Sequence, residues 1–130
     1  MPSGLAAIAL VDMALLKSGD EVLIPDNAYG PGKELARNEL AGWGVTHRFY
    51  DPMDPASLAA AIGPATKLVW LEAPGSVTME FPDLPALLRI ARERGVLTAL
   101  DNTWGAGVAF DAFGLAGGQA VDICMQALTK

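Results

Sequence analysis

Four short segments of this chain place reactive side chains directly after strongly apolar runs: Asp26-Asn27-Ala28-Tyr29, Glu72-Ala73-Pro74-Gly75-Ser76, Asp101-Asn102-Thr103-Trp104 and Thr129-Lys130. Together they hold an amine, carboxylates, aromatic rings and several hydroxyls, and near the chain start Ser3-Gly4 adds a glycine-led helix start. An amine is a nucleophile and a base, and a carboxylate can hold a proton on a partner. Other chemistries lack their residues. There is no Gly-x-Gly-x-x-Gly and no Gly-x-x-x-x-Gly-Lys-Ser/Thr, so neither a dinucleotide fingerprint nor a P-loop is supported. His47 is the single histidine, which argues against a histidine-based metal site or a Ser-His-Asp triad, and no metal is expected. His47 itself reads as an exposed strand residue.

The elements that must position these residues follow from hydrophobic patterning. The run 5–17 is an apolar helix that Ser3 can cap, with Gly19 as its stop. The spacing predicts further helices over 33–41, 55–62 and 84–94. Short strands are predicted over 21–25, 45–50, 67–71, 96–100 and 122–127, with glycine-rich loop from 102 to 118. Continuously apolar strands alternating with helices belong to a parallel sheet covered on both faces. The fold class is therefore α/β, three layers with a mostly parallel sheet. In such sheets ligands bind beyond the carboxyl ends of the strands, where all four segments fall.

The run Glu72-Ala-Pro-Gly-Ser-Val-Thr-Met-Glu80, then Asp101-Asn-Thr-Trp104, then Gln126-Ala-Leu-Thr-Lys130, resembles the Cys/Met-metabolism family of pyridoxal-phosphate enzymes. Pro2-Ser-Gly-Leu-Ala6 and Ala28-Tyr-Gly-Pro31 look like further segments of that family in the same order, so the resemblance covers essentially the whole chain. It implies the large domain of a fold-type I transferase. It also implies pyridoxal 5′-phosphate as cofactor, and a carbon–sulfur lyase activity of the cystathionine β-lyase kind in methionine biosynthesis. The products would be homocysteine, pyruvate and ammonia. A γ-synthase, γ-lyase or sulfhydrylase of the same family is the nearest alternative. A non-catalytic α/β binding module is the alternative from another class.

The resemblance also assigns roles. Lys130 matches the lysine whose amine condenses with the cofactor aldehyde and later moves the substrate's α-proton. Tyr29 matches the aromatic that stacks on the cofactor ring and assists proton transfer. Asp101 matches the carboxylate that keeps the ring nitrogen protonated. Gly4 and Leu5 match a phosphate cradle of helix-start N–H groups, to which Thr129 adds a hydroxyl. Ser76 stands where many relatives carry asparagine, near the ring hydroxyl and the substrate carboxylate, and Thr103 lies by the ring or bonds Asp101. Each has an ordinary structural reading as well: a solvated lysine, a turn aspartate, loop packing for Tyr29 and a plain cap for Ser3-Gly4. Trp104 reads more readily as a core aromatic, Glu72 as a loop-orienting or solvated carboxylate, Cys124 as an inert buried thiol, and Arg89, Arg92 and Arg94 as a wet helix face.

Composition narrows the partners. The chain has 130 residues, 52% hydrophobic, and a formal net charge of −6 with scattered basic residues. That gives no footprint for nucleic acid or an anionic membrane. One cysteine excludes an internal disulfide and suits the cytoplasm. Both ends are abrupt: an apolar helix starts within a few residues of Met1, and the chain stops at Lys130. Residues 1–130 are thus expected to be a large domain cut at both ends, without an N-terminal segment or a C-terminal small domain. On its own it is expected to bind cofactor weakly and to turn over no substrate. Members of the family bind small amino-acid substrates and are usually tetramers, dimers of dimers.

Overall fold

Strands that are apolar at both odd and even positions can be satisfied only with cover on both faces. The computed structural model, which describes residues 1–129, provides that cover. Its elements are α1 (Gly4–Leu15), β1 (Glu21–Pro25), α2 (Gly30–Leu35), β2 (Thr46–Tyr50), α3 (Pro55–Ala61), β3 (Thr66–Glu72), α4 (Leu84–Glu93), β4 (Leu97–Asp101) and β5 (Ile123–Met125). The five strands form one sheet in the order β2-β1-β3-β4-β5, every pair parallel.

Alternation along the strands divides the core in two. Val22, Ile24, Leu68, Trp70 and Ala99 face one side, packed against Ile8 of α1 and against Ala36 and Leu40, which follow α2. Leu23, Val69, Leu71 and Leu100 face the other, packed against Leu58 of α3 and Leu84, Leu87 and Leu88 of α4. Between β4 and β5 the chain forms no α-helix. Phe110, Ala112, Leu115 and Val121 of this glycine-rich connection nevertheless pack on the second face, where a crossover helix would lie.

Helix starts match their sequence signals. Ser3, Asp54 and Asp83 each accept an N–H bond from the first turn of α1, α3 and α4. Three boundaries differ from expectation by more than one residue. α1 ends at Leu15, because Leu16 is already extended; Gly19, at φ +93°, serves the following turn and donates its N–H to the Gly44 carbonyl over 2.8 Å. α2 begins at Gly30 rather than Lys33, since Pro31 suits a first helical turn, and it runs on as a π-helical turn over Ala36–Leu40. β5 covers only Ile123–Met125 of the expected 122–127. His47 is half-buried on edge strand β2, its ring edge-on to Phe49, rather than exposed. Arg89, Arg92 and Arg94 are exposed on α4 and the residue after it. Among the described residues no helix is long and apolar enough to cross a membrane.

Candidate active site

The connections from β1 and β3 leave in opposite directions, one toward β2 and the other toward β4. Such a reversal opens a crevice at the carboxyl ends of the strands. Here the crevice is a cleft of about 470 Å³, lined by Ser3, Gly4, Leu5, Ile8, Tyr29, Ser76, Asp101, Thr103, Trp104, Ala127 and Thr129. Its size is that of ordinary small-molecule sites, about 300–1,000 Å³. Seven of the residues named from sequence, Gly4, Leu5, Tyr29, Ser76, Asp101, Thr103 and Thr129, are thus brought together. Lys130 lies outside the described residues.

Each wall has a local cause. α1 leads into β1, so its N-terminus lies at the carboxyl edge of the sheet. There the first amides have no acceptor within the helix. Ser3 Oγ accepts the Ala6 N–H at 3.1 Å and the Ser3 carbonyl accepts the Ala7 N–H at 3.1 Å, leaving Gly4 and Leu5 at the mouth. A Cβ on Gly4 would stand 2.8 Å from Ala127 Cβ, so the helix start seats against the segment after β5 only as glycine. Tyr29 follows β1 and immediately precedes α2. Trp104, expected as a core aromatic, is instead 45% exposed and forms part of the cleft wall.

The floor is acidic. Asp101 ends β4 in a buried position. Its Oδ1 accepts the Thr103 N–H at 2.9 Å and the Thr103 hydroxyl, and Thr103 Oγ1 in turn accepts the Ala127 N–H at 2.9 Å. Glu72 ends β3 in register with Asp101 and is equally buried. Its Oε2 accepts the Tyr29 N–H at 2.8 Å and its Oε1 accepts the Ser76 hydroxyl. Of the two sequence readings for Glu72, loop orientation is the one this geometry supports. Burial pushes its carboxyl above the ordinary value and the Asp101 charge adds to that, while the Ser76 and Tyr29 hydrogen bonds oppose it. Below the cleft a small cavity of about 30 Å³ is lined in part by Asp12, Tyr29, Trp70, Glu72 and Asp101. Asp12 and Trp70 are the members that sequence reasoning missed. The available signal was an aspartate in the middle of an apolar helix, a local rule broken without evident reason. Cys124 is half-buried, and burial pushes its thiol upward, which disfavours the thiolate needed of a nucleophile.

A helix start, a buried strand-end carboxylate and an aromatic gathered at one sheet edge define a doubly wound α/β protein with a small-molecule-sized cleft at the carboxyl ends of its strands. Comparison with known proteins names the group. The family model for Cys/Met metabolism PLP-dependent enzymes matches residues 1–130, and the chain belongs to that family. It is 38% identical over 131 residues to the cystathionine beta-lyase MetC of Escherichia coli, covering 99% of this chain and 32% of that one. It is 44% identical over 105 residues to the cystathionine beta-lyase of Bordetella avium, covering 81% and 26%. Among solved structures, an O-acetylhomoserine sulfhydrylase from Wolinella succinogenes superposes with TM-score 0.75 at 31% identity, over 79% of this chain and 29% of that one. A Campylobacter jejuni chain whose structure contains N′-pyridoxyl-lysine-5′-monophosphate gives the same TM-score, 0.75, at 28% identity, over 78% and 25%. The fold is accordingly fold-type I. The chain spans about a third of the length of the curated relatives it matches.

The residues present fit pyridoxal phosphate on this structure's own terms. The α1 mouth supplies neutral N–H donors for a phosphate, and the glycine there keeps the approach open. A buried carboxylate, itself held by Thr103, suits a protonated ring nitrogen.

Proposed function

We propose that this chain is the cofactor-binding part of a pyridoxal-phosphate carbon–sulfur lyase. Its reaction is β-elimination from cystathionine, or from a related cysteine S-conjugate, to a thiol, pyruvate and ammonia. One observation carries the reading: a single cleft gathers the Gly4-Leu5 helix start, Tyr29, Ser76, Asp101, Thr103 and Thr129 from opposite ends of the chain. When bound, the cofactor supplies an aldehyde for amino groups and an electron-withdrawing ring.

The chain's residues divide the remaining work. The Gly4 and Leu5 amides and the Thr129 hydroxyl bind the phosphate. Asp101 holds a proton at the ring nitrogen, and Thr103 fixes the direction of its carboxylate. Tyr29 would cover the ring, and Ser76 would serve the ring hydroxyl and the substrate carboxylate. Lys130 provides the amine that anchors the cofactor and then moves the proton at the substrate's Cα. The likeness to the Wolinella sulfhydrylase favours a second reading, a family member that joins sulfide to an activated homoserine in the same cleft.

Reduction with borohydride after incubation with pyridoxal phosphate, followed by peptide mapping, tests the cofactor role. The expected adduct is on Lys130; labelling confined to Lys17, Lys33 and Lys67 overturns the reading. In the protein that turns over, pyruvate release from cystathionine supports the lyase. Homocysteine formation from O-acetylhomoserine and sulfide supports the alternative.

A further inference from the structure

Glu72 is a buried carboxylate that no step above requires. Burying such a group is costly unless donors surround it. Its donors come from two separate loops: the Tyr29 N–H at 2.8 Å, after β1, and the Ser76 hydroxyl and backbone N–H, after β3. Tyr29 and Ser76 both line the cleft, and Glu72 lies beneath them beside Asp101, its neighbour across β3 and β4. The same two loops are joined a second time, farther along. Asn27 Nδ2 donates to Thr78 Oγ1 at 3.0 Å, the Val77 N–H reaches the Asn27 carbonyl at 3.4 Å, and Gly75 packs too tightly on Asn27 to admit a Cβ. The Asn27 junction holds the loops together as structure. The Glu72 junction acts on the two residues that face the ligand.

We propose that Glu72 is a positioning residue for the cofactor: its carboxylate clamps the Tyr29 loop to the Ser76 loop, so that the ring-covering aromatic and the facing hydroxyl are set before the ligand arrives. Preorganised groups bind more tightly because their ordering cost is already met. The inference rests on the cofactor-site reading above. Each oxygen of Glu72 serves one loop, so an amide of the same shape keeps the clamp. Glutamine accepts the Tyr29 N–H with its oxygen and offers its NH₂ to Ser76 Oγ. Alanine keeps neither bond.

The test titrates pyridoxal phosphate into the wild-type protein, Glu72→Gln and Glu72→Ala, following cofactor absorbance and tryptophan emission. Thermal midpoints are measured without cofactor. Hydrogen exchange of the Tyr29 amide is measured in the cofactor-free proteins. Glu72→Gln is expected to bind within about threefold of wild type. Glu72→Ala is expected to bind at least about tenfold more weakly, the equivalent of one or two hydrogen bonds. Its Tyr29 amide should exchange faster, and its midpoint should fall by no more than the few degrees that the lost hydrogen bonds cost, because the Asn27 junction remains. If Glu72→Ala does not fold, Glu72→Asp, whose shorter arm reaches only one loop, takes its place with at least about threefold weaker binding. Equal affinity in Glu72→Ala, or equal losses in Glu72→Gln and Glu72→Ala, overturns the clamp. Absence of binding by the wild type instead overturns the cofactor reading, and the Tyr29 exchange rates then still judge whether the loop is held.

Discussion

Trp70 donates its indole N–H to Asp12 Oδ1 over 2.8 Å, joining the middle of α1 to strand β3 inside the core. Both residues are buried and both border the small cavity under Tyr29, Glu72 and Asp101. The first helix, whose N-terminus opens on the cleft, is thereby tied to the strand that ends in Glu72. The bond leaves a carboxyl group in an apolar setting, and burial pushes it from 3.8 up to about 6 despite the indole.

That rise has a definite sign. A carboxyl harder to ionise in the folded than in the unfolded state favours folding while protonated. Its contribution is complete below 3.8 and is lost as pH climbs through about 6. Asp12→Asn, which keeps an oxygen for the Trp70 indole, escapes this loss. Denaturant unfolding should show the variant gaining on wild type between about pH 4 and about pH 7, by up to about 3 kcal/mol. A difference between the two proteins that does not change with pH contradicts it.

Thr103→Val preserves shape and removes the hydroxyl that lies between Asp101 Oδ1 and the Ala127 N–H. The Thr103 N–H bond to Asp101 remains, but the Ala127 amide loses its acceptor. The expected cost is about 1–3 kcal/mol, read as a lower denaturation midpoint. Weaker pyridoxal-phosphate binding should accompany it, because the Asp101 carboxylate is held by one donor fewer.

Gly4→Ala sets two opposed effects against each other. Alanine favours helices by about 1 kcal/mol over glycine in a helix interior, less at the first residue. The new Cβ would meet Ala127 Cβ at 2.8 Å, and overpacking of that kind costs about 1–3 kcal/mol. Crowding should win. Titration with inorganic phosphate and with pyridoxal phosphate is expected to show weaker binding of both, along with a lower thermal midpoint.

Tyr50→Phe removes a hydroxyl that donates to the Trp70 carbonyl at 2.8 Å in the buried second core. The loss should be about 1 kcal/mol by chemical denaturation, with cofactor affinity unchanged. This variant separates a general loss of stability from damage to the cleft.

The central strands β1, β3 and β4 were legible as short apolar runs, and the doubly covered sheet follows from those runs alternating with helices, whereas edge strand β2 is largely polar. α2 starts earlier than its pattern suggests because Gly30-Pro31-Gly32 carries turn residues, yet proline is at home in a first helical turn. The connection after Asp101 was legible as glycine-rich but not as core, since Phe110, Ala112, Leu115 and Val121 follow no period there. The cleft residues could be named because they follow strands and match the family's motifs in order. Which of its two readings Glu72 follows, and the role of Asp12 at all, emerge only in three dimensions. A carboxylate's worth depends on which donors surround it, and those come from residues far away in sequence.

Gly4 opens the first helix, and Ala127 follows the last strand; the two touch where the phosphate is proposed to sit. The cleft is therefore complete only once β5 has docked on β4. A chain that has formed α1 and β1 to β4, but has not yet docked β5, has one lip of the site and lacks the other. Ligand affinity would then work as a completeness gauge for the fold, since only the finished state has both lips. By mass action, a ligand that recognises only that state holds it together, by about 2.7 kcal/mol at a hundred times its dissociation constant.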